Sequence, residues 1–382
     1  MTRAVDSTMP RDPAKHRYND DLLVCATSRQ DAQAEFPGVF HVLHDPELQQ
    51  AFEPIDMRAA RAKRCSQHAG TLAVVSAVVS LAAAAAEPLW GHWPGAWPTV
   101  VAIAAGLLGL GAVVLGGFGV LHGRQKERWL HQRLWTERLR QLHFQGFIWR
   151  IREIADSCNA ADPLAHRRFI ENRRRTLETF LHRLQGHVDA ELSALLAPTG
   201  GAKVWLYEGG GSPPSLPPGF DPTEMFSAYR RLRFEEQVGY AEHKLRSSQF
   251  VPWLTTAPLR NQRQILRTIW TLAFGALVAW DLVLILGSVS GWQVAHGSLS
   301  HVVVVWLALL ALGARTLEEG FGLSREIERY EDYRAEVFDA LQRFNAARTA
   351  EEKLRVMMDM ERISFDEMRS FLRTLNESSY VL

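Results

Sequence analysis

One acidic side chain stands inside the apolar part of the chain. Residues 268–315 form two apolar runs joined by a short loop without lysine or arginine, and Asp281 is the single acidic or basic residue within the core of any apolar run. A charged side chain at the centre of a bilayer costs about 2.5–3.5 kcal/mol, so such residues often mark ion or proton paths. Two interpretations stay open. Copies of Asp281 in a homo-oligomer form a ring that favours cations, or the carboxyl is protonated or hydrogen-bonded near the outer face.

A run of arginines on a predicted helix is the second candidate for chemistry, and its members are Arg167, Arg168, Arg173, Arg174, Arg175 and Arg183. Guanidinium groups bind phosphate well, so this run could contact a phosphate-bearing ligand or anionic lipid headgroups. Glu171 and Glu178 are interleaved with the arginines, which favours a solvated helix face instead. His296 and His301, five residues apart near the outer loop, are interpreted as interfacial polar residues, and no metal site is predicted.

Sequence motifs of the common enzyme classes are missing. The chain has no GxxxxGK[ST], GxSxG or HExxH pattern, and the glycines at 106–119 lie inside an apolar run rather than after a strand. Cys25, Cys65 and Cys158 have no CxxC spacing and cannot all pair, so they predict neither a disulfide framework nor a zinc site and fit a reducing compartment. We therefore expect a protein that is not an enzyme and binds no cofactor.

Four apolar windows organise the chain. They are residues 69–86 and 98–121, and the two runs within 268–315. Each is close to the roughly 20 residues that a helix rising ~1.5 Å per residue needs to cross a ~30 Å hydrocarbon core, whereas β-barrel strands would alternate in polarity. The mean hydropathy of −0.12 hides this segregation. The sequence therefore predicts an all-α polytopic membrane protein with four transmembrane helices in two hairpins and long cytoplasmic amphipathic helices.

Small residues recur four apart in the second window, as Ala105 with Gly109 and Ala112 with Gly116. Such pairs let helix backbones approach closely, so we expect these four residues at a contact between helices. The alternative is that glycine is simply commoner in membrane helices than in soluble ones.

The orientation follows from the basic residues that flank the windows. Lysines and arginines cluster before the first window, after the second, before the third and after the fourth, whereas the two hairpin loops hold none. By the positive-inside rule both termini and the middle of the chain lie in the cytoplasm of a cell whose inner membrane the four helices cross. Tryptophans then lie at the outer interface, and they are Trp90, Trp93, Trp97 and Trp292. The polar N-terminus has no apolar stretch, so no cleaved signal peptide is expected.

The windows divide the chain into four predicted segments. Two short apolar runs near the start, 21–26 and 38–44, predict a small strand pair. The segments are 1–44, a polar tail with the strand pair; 45–150, the first hairpin with flanking helices; 151–220, a cytoplasmic helical domain and Gly/Pro linker; and 221–382, the second hairpin with flanking helices.

Four sites carry helix-start signals, in which an acidic residue precedes a proline or a hydroxyl residue pairs with a glutamate three residues on. The first predicts a helix that runs toward the membrane, the third a helix that leads into the third window, and the fourth the last helix of the chain. The sites are Asp45–Pro46, Asp162–Pro163, Asp221–Pro222 with Glu224, and Ser364 with Glu367.

Apolar stripes at three- and four-residue intervals follow the second and fourth windows and the Asp162–Pro163 signal. They predict amphipathic stalk helices after each hairpin and, between the hairpins, a helix that packs against another helix of this chain or of a second subunit. The stripes are Leu130, Leu134, Trp135, Leu139 and Leu142; Leu177, Leu181, Leu184, Val188, Leu192 and Leu195; and Tyr330, Tyr333, Val337, Leu341 and Phe344.

The flanks of the first hairpin, FEPIDMRAARAKRCSQ and ERWLHQRLWTERLR, resemble those of the SLATT-type membrane domains. A similar unit extends from about Glu235 to the C-terminus. The resemblance implies small two-span helical units from bacterial nucleotide-signalling and antiviral defence loci, which are proposed to form pores or perturb the membrane when a cytoplasmic sensor fires. This chain departs from the simple form because it has two hairpins and no attached sensor or nuclease, so the trigger would come from a partner protein.

The main hypothesis is a four-span inner-membrane protein whose cytoplasmic helices oligomerise and whose spans form or gate a pore. The alternative is a membrane scaffold that recruits a cytoplasmic partner and conducts nothing. A transporter is disfavoured, because no span has a mid-span proline and Asp281 is the one ionisable residue in a span core. The expected partners are the lipid bilayer, further copies of the chain and a cytoplasmic sensor or effector. No nucleic acid is expected, since the net charge is +1.

Overall fold

The computed structural model describes residues 20–117, 124–159, 162–197, 201–207, 214–246, 258–290 and 298–377. These residues form helices joined by turns, and no β-strand occurs among them, so the predicted all-α class is confirmed. Residues Arg230–Glu235 are π-helical. The α-helices are α1 (Ala26–Glu35), α2 (Phe40–Leu43), α3 (Pro46–Ala85), α4 (Glu87–Trp90), α5 (Trp97–Val114), α6 (Arg124–Trp149), α7 (Ile151–Ser157), α8 (Pro163–Leu196), α9 (Thr223–Tyr229), α10 (Glu236–Leu245), α11 (Leu259–Ser290), α12 (Ser298–Phe321), α13 (Leu323–Ala346) and α14 (Ala350–Glu377).

Four helices are long and apolar enough to cross a membrane. They are α5, α11, α12 and the second half of α3. The protein is therefore a multi-pass membrane protein. The extensive contacts among the four run in the order α5–α3–α12–α11, so the spans form a row in which α3 and α12 join the two hairpins. The outer helices α5 and α11 leave many of their large apolar side chains exposed, as expected for helices that face lipid or another protein.

Helix α3 connects this row of spans with the rest of the protein. It begins as predicted, because the Asp45 carboxylate accepts a hydrogen bond from the Leu48 N–H at 3.1 Å and Pro46 occupies the first turn. The helix then continues for 40 residues. At ~1.5 Å per residue it is about 60 Å long, roughly twice the thickness of a hydrocarbon core. One unbroken helix therefore belongs both to the row of spans and to the domain beside it.

Outside the row, the remaining helices form one helical domain around α6. The prediction of an amphipathic stalk is wrong here, because α3, α8 and α14 cover α6 on nearly all sides. Its apolar residues Leu134 and Leu139 are fully buried, and its polar residues Arg138, Arg140 and Gln145 are at most 3% exposed. Buried arginines require hydrogen-bond acceptors, which α6 itself and other segments of the chain supply here. The predicted continuity of α6 with the second span falls on residues 118–123, outside the described part of the chain.

One hydrophobic core runs through the helical domain. Its members come from all four predicted segments, from Leu22 before α1 to Met360 in α14. Helix α8 begins as predicted, because the Asp162 carboxylate accepts hydrogen bonds from the next free backbone N–H groups. Its apolar stripe packs within this chain, against α6, α7 and α14. The buried members of the stripe are Leu177, Leu184, Leu192 and Leu195.

The predicted strand pair at 21–26 and 38–44 is wrong. The Asp20 carboxylate bends the first run by accepting a hydrogen bond from the Val24 N–H at 2.8 Å, and Leu23 adopts a left-handed conformation with φ 56°. Helix α1 follows directly, and the second run contains the short helix α2. Short apolar runs fit a buried turn as well as a strand, and both runs contribute to the core.

The predicted last helix start is also wrong. Ser364 and Glu367 lie inside α14, which begins at Ala350. The capping box of this helix is formed instead by Thr349 and Glu352. The Thr349 hydroxyl accepts a hydrogen bond from the Glu352 N–H at 3.2 Å, and the Glu352 carboxylate accepts one from the Thr349 N–H at 3.0 Å.

The start signal at Asp221 is correct, but the helix that follows is shorter than predicted. The Asp221 carboxylate accepts hydrogen bonds from the N–H and the hydroxyl of Thr223, the first residue of α9. That helix does not lead into the third span, because α10 and α11 are separate helices. Glu224 binds another part of the domain, since its carboxylate accepts a hydrogen bond from the Gly38 N–H at 2.7 Å.

Candidate functional site

Asp281 lies on α11, the outer helix of the second hairpin. Ala273 and Gly287 are buried on the face of α11 that packs on α12, and Asp281 is half-buried at the flank of this face. Its carboxylate has no hydrogen-bond or ion-pair partner among the described residues, and the adjacent Trp280 has a buried indole N–H without an acceptor. Ile285, one turn further, is exposed. No side chain of the described residues therefore satisfies this carboxylate, which leaves it available to water or to a second molecule.

The small residues of α5 lie against α3. Ala105 and Ala112 are each 7% exposed, and the Ser80 hydroxyl donates a hydrogen bond to the Ala105 carbonyl at 2.8 Å. A Cβ atom added at Gly109 would lie 2.7 Å from the Ser80 hydroxyl oxygen, whereas one added at Gly116 would meet open space. Three of the four residues thus form a close contact between helices, and Gly116 lies outside it.

The arginines of α8 are of two kinds. The Arg173 guanidinium pairs with Asp45 at 3.1 Å and donates to the His41 carbonyl at 2.8 Å, so it fastens α8 to the start of α3. Others pair along their own helix, as Arg174 does with Glu178 at 3.0 Å. The exposed arginines form a solvated helix face, and they are Arg167, Arg168, Arg174, Arg175 and Arg183.

Buried charges in the helical domain form a cluster that the sequence did not indicate. The fully buried Asp21 carboxylate accepts hydrogen bonds from Arg140 at 3.0 Å and from the Gln237 side chain at 3.1 Å. Arg233 lies 3.6 Å from the same carboxylate and donates to Glu361 through two nitrogens, at 2.8 and 3.1 Å. We call Asp21, Arg140, Arg233 and Glu361 the buried ion cluster.

The buried ion cluster joins parts of the chain that flank both hairpins. Asp21 precedes α1, Arg140 belongs to α6 after the first hairpin, Arg233 precedes the second hairpin and Glu361 follows it. All four residues are at most 3% exposed. Because a buried charge without its partner is strongly destabilising, the cluster favours the arrangement in which these segments stay together. Sequence reasoning missed it because the arginines of α6 are spaced like those of a solvated helix.

Glu137 extends the cluster along α6. Its carboxylate lies 2.5 Å from Arg133 and 3.0 Å from Arg140. Burial alone would raise the pKa of Glu137, but the two guanidinium groups lower it to about 2, so the carboxylate stays ionised at neutral pH. For Asp21 the balance differs, because burial raises its pKa while Arg140 and Arg233 oppose that shift.

A cavity of about 20 Å³ lies beside these charges, and its lining includes Glu137, Arg140, Arg233, Tyr333 and Glu367. Two polar atoms of its lining residues, Arg133 Nε and Ser364 Oγ, are buried without a hydrogen-bond partner. This volume has room for about one water molecule. The cluster therefore holds helices together, and its cavity is too small for a larger ligand.

Histidines do not form a metal site in the described part of the chain. His301 is exposed at the start of α12, and His296 lies outside the described residues. Within those residues, no group of three His, Cys, Asp or Glu side chains could hold a metal ion. Burial lowers the pKa of His41 to about 4 and that of His143 to about 3, so both are neutral at physiological pH.

The fold and these contacts define the class of the protein. It is a multi-pass helical membrane protein in which four spans form a row and the flanking segments of both hairpins build one helical domain. No family model, no curated protein and no solved structure matches the chain.

Proposed function

We propose that several copies of this protein assemble along their rows of spans and form a cation-conducting pore. The observation that carries this proposal is Asp281, an ionisable residue on the outer helix of the row that has no partner among the described residues. A row of four helices encloses no passage by itself, so a conducting path needs further copies. Copies that meet along α11 would bring their Asp281 carboxylates together, and rings of acidic side chains favour cations.

The helical domain is the part that would control such a pore. Helix α3 passes from the domain into the row without interruption, so a rotation of the domain tilts the first span. The buried ion cluster holds the segments before and after the second hairpin to α6, so a movement of the domain also reaches the base of the second hairpin. Rigid-body motion of a packed domain is a common way to open or close an interface between helices.

We further infer that the domain lies in the cytoplasm and that the row crosses the bacterial inner membrane. Basic residues at the domain end of all four spans, and hairpin loops without lysine or arginine, support this orientation. The similarity of the flanking sequences to SLATT-type domains supports a role in a nucleotide-signalled or antiviral defence system. The domain would then receive its trigger from a cytoplasmic sensor or effector protein.

The test is the conductance of purified protein reconstituted into lipid bilayers. The wild type is expected to conduct cations in preference to anions, and Asp281→Asn, which removes the charge but keeps the shape, is expected to lose most of that preference. Asp332→Asn is the matched control, because Asp332 is an exposed acid of the helical domain. The pore proposal fails if Asp281→Asn conducts with unchanged size and selectivity.

Membrane potential in expressing cells separates the pore from the non-conducting scaffold. A pore should depolarise cells once the trigger is present, and Asp281→Asn should alter that depolarisation. A scaffold should leave the potential unchanged under every stimulus, in cells where the protein is inserted and abundant, and its phenotype should require a cytoplasmic partner. The second result would direct attention to proteins that bind the helical domain.

A further inference from the structure

The two hairpins carry different charge where their spans meet the helical domain. Beside the first hairpin, residues 55–68 and 124–131 hold seven lysines and arginines and two acidic residues. Beside the second hairpin, residues 258–268 and 313–331 hold six arginines and five acidic residues. The first hairpin therefore has a net positive border with the domain, whereas the border of the second is close to neutral.

At the second hairpin most of the cations are paired with acids, and half-buried Arg263 is an exception among the described residues. Arg267 donates to the Glu318 carboxylate at 2.9 Å, and Arg315 lies 3.4 Å from Glu318. Arg260 pairs with Glu331 at 2.6 Å. These arginines are used for contacts within the chain, so the second border offers little positive charge to an outside partner.

At the first hairpin four exposed arginines have no acid within ion-pair distance among the described residues. We call them the basic border, and they are Arg58, Arg61 and Arg64 of α3 and Arg128 of α6. Of the two acids in this region, Asp56 forms an ion pair with Arg133 at 3.9 Å, and Glu127 is exposed next to Arg128 in the sequence. The basic border therefore keeps an excess of positive charge.

The arginines of the basic border on α3 share one face of the helix. They recur every three residues, and they point away from Ala59, which is buried in one cluster with Trp129 and Leu130 of α6. Among the described residues, the guanidinium groups of Arg58 and Arg64 donate only to carbonyl groups one turn back on α3. Each guanidinium therefore presents further N–H groups to an acceptor outside the protein.

The position of this face along α3 matches the headgroup layer of a membrane. The apolar run of the first span begins at Ala69, so with ~1.5 Å per residue Arg64 lies about 8 Å and Arg61 about 12 Å before it. The polar layer of a bilayer is roughly 5–8 Å thick on each side. Long arginine side chains extend toward such an interface, so Arg61 and Arg64 can reach the phosphate groups.

We propose that the basic border binds the phosphate groups of anionic phospholipids, and that the first hairpin, not the second, carries this lipid contact. Guanidinium groups bind phosphate oxygens through paired N–H donors, and basic residues next to a span attract anionic lipid. The four arginines of the basic border are exposed and can be reached by lipid. The inference needs only that the first hairpin is inserted in a membrane, so it stands or falls independently of the pore.

The experiment measures binding of phosphatidylglycerol to the purified full-length protein in detergent, by native mass spectrometry and by the rise of the melting temperature on lipid addition. Arg61→Gln/Arg64→Gln is expected to bind phosphatidylglycerol about 30-fold more weakly, since each near-surface arginine contributes about a factor of five. Phosphatidylcholine is expected to bind the wild type and this variant equally. Arg61→Lys/Arg64→Lys keeps the charge and is expected to retain most of the binding.

Two control variants remove the same charge elsewhere. Arg260→Gln/Arg315→Gln acts at the border of the second hairpin, and Arg167→Gln/Arg168→Gln acts on the solvated face of α8; both are expected to bind phosphatidylglycerol as the wild type does. Equal losses in the two hairpins would overturn the proposal, as would equal binding of phosphatidylglycerol and phosphatidylcholine by the wild type. A rise in melting temperature with inorganic phosphate alone, as large as that with the lipid, would assign the arginines to a soluble anion and overturn it as well.

Discussion

The two hairpins differ most where each joins the helical domain. Helix α3 crosses from domain to span without a break, whereas α12 ends at Phe321 and α13 begins at Leu323, after Gly322 in a left-handed conformation with φ 63°. The four arginines of the basic border lack acidic partners among the described residues. At the second hairpin, Arg260, Arg267 and Arg315 pair with acids such as Glu318. Asp281 gives the second hairpin an ionisable residue in a span core, and the first has none.

These differences assign different tasks to two units of similar layout. An unbroken helix transmits a change of angle directly, and a helix face rich in arginine holds that helix at the level of the lipid headgroups. A glycine joint between two helices absorbs a change of angle, so the second hairpin can reorient relative to the domain. The second hairpin, which contains Asp281 in a span core, is therefore the one with a turn at its base. The first hairpin, whose spans contain no charge, is the one fixed both to the helical domain and to the lipid headgroups.

One helical domain holds both hairpins, so breaking the buried ion cluster is the most damaging change. Glu361→Ala removes the carboxylate that accepts hydrogen bonds from Arg233 at 2.8 and 3.1 Å and from the Tyr229 hydroxyl at 2.8 Å. Arg233 would keep only Asp21, at 3.6 Å and shared with Arg140, and breaking a buried ion pair in this way is expected to cost about 3–5 kcal/mol. The measurement is chemical or thermal unfolding of the detergent-solubilised protein.

The double variant Glu361→Leu/Arg233→Met is its control, because it removes both charges and leaves side chains of similar volume. We expect it to recover much of the lost stability, since replacing a buried ion pair by apolar groups is often nearly neutral. Should Glu361→Ala unfold less than 1 kcal/mol more easily than the wild type, the cluster would not be what holds the segments together.

Local signals in the sequence predicted the spans and the starts of two long helices. The apolar windows follow from the thickness of the bilayer, and the caps at Asp45 and Asp162 involve backbone groups only two or three residues away. Ser364 and Glu367 satisfy a similar local pattern, but α14 continues through them. The helix is buried on both sides of that point, at Met360 before it and at Phe365 after it. A capping pattern therefore indicates a helix start only where the chain before it is not already helical.

The buried ion cluster could not be predicted, because its pairs are distant along the chain. Arg140 and Asp21 are 119 residues apart, and Arg233 and Glu361 are 128 residues apart. In sequence, Arg140 stands among other charged residues at helical spacing, which is typical of a solvated face. Arg140 is buried because α3, α8 and α14 pack around α6, and this packing is apparent only from the fold. Asp281, in contrast, was apparent because a charge is rare in an apolar window.

The contact between the hairpins provides a test of intermediate size. A Cβ atom added at Gly313 of α12 would lie 2.8 Å from Val78 Cγ2 of α3, whereas one added at Gly275 of α11 would meet open space. Valine has little rotameric freedom in a helix, so Gly313→Ala is expected to force α12 and α3 apart at a cost of about 1–3 kcal/mol. Gly275→Ala is the matched control and is expected to be neutral or slightly stabilising. Both are measured by thermal unfolding.

A second-site change shows whether this cost comes from the contact. Val78→Ala removes the methyl group that Gly313→Ala would meet, so the double variant Gly313→Ala/Val78→Ala is expected to be more stable than the sum of the two single changes predicts. Strict additivity would mean that the two hairpins do not touch at this point and that the row is divided between α3 and α12.

The joint at Gly322 is the smallest of the expected effects and bears most directly on the difference between the hairpins. Its φ of 63° favours glycine, and a Cβ atom added there would meet nothing within 4 Å, so Gly322→Ala changes the backbone preference alone and is expected to cost about 1 kcal/mol. Gly239→Ala in α10, where a Cβ atom also meets open space, should instead stabilise the helix by about 0.5–1 kcal/mol. If Gly322→Ala lowers the melting temperature and Gly239→Ala raises it, the second hairpin requires a turn at its base. If both substitutions stabilise the protein, α12 and α13 can form one continuous helix, and the second hairpin would then join the domain as the first one does.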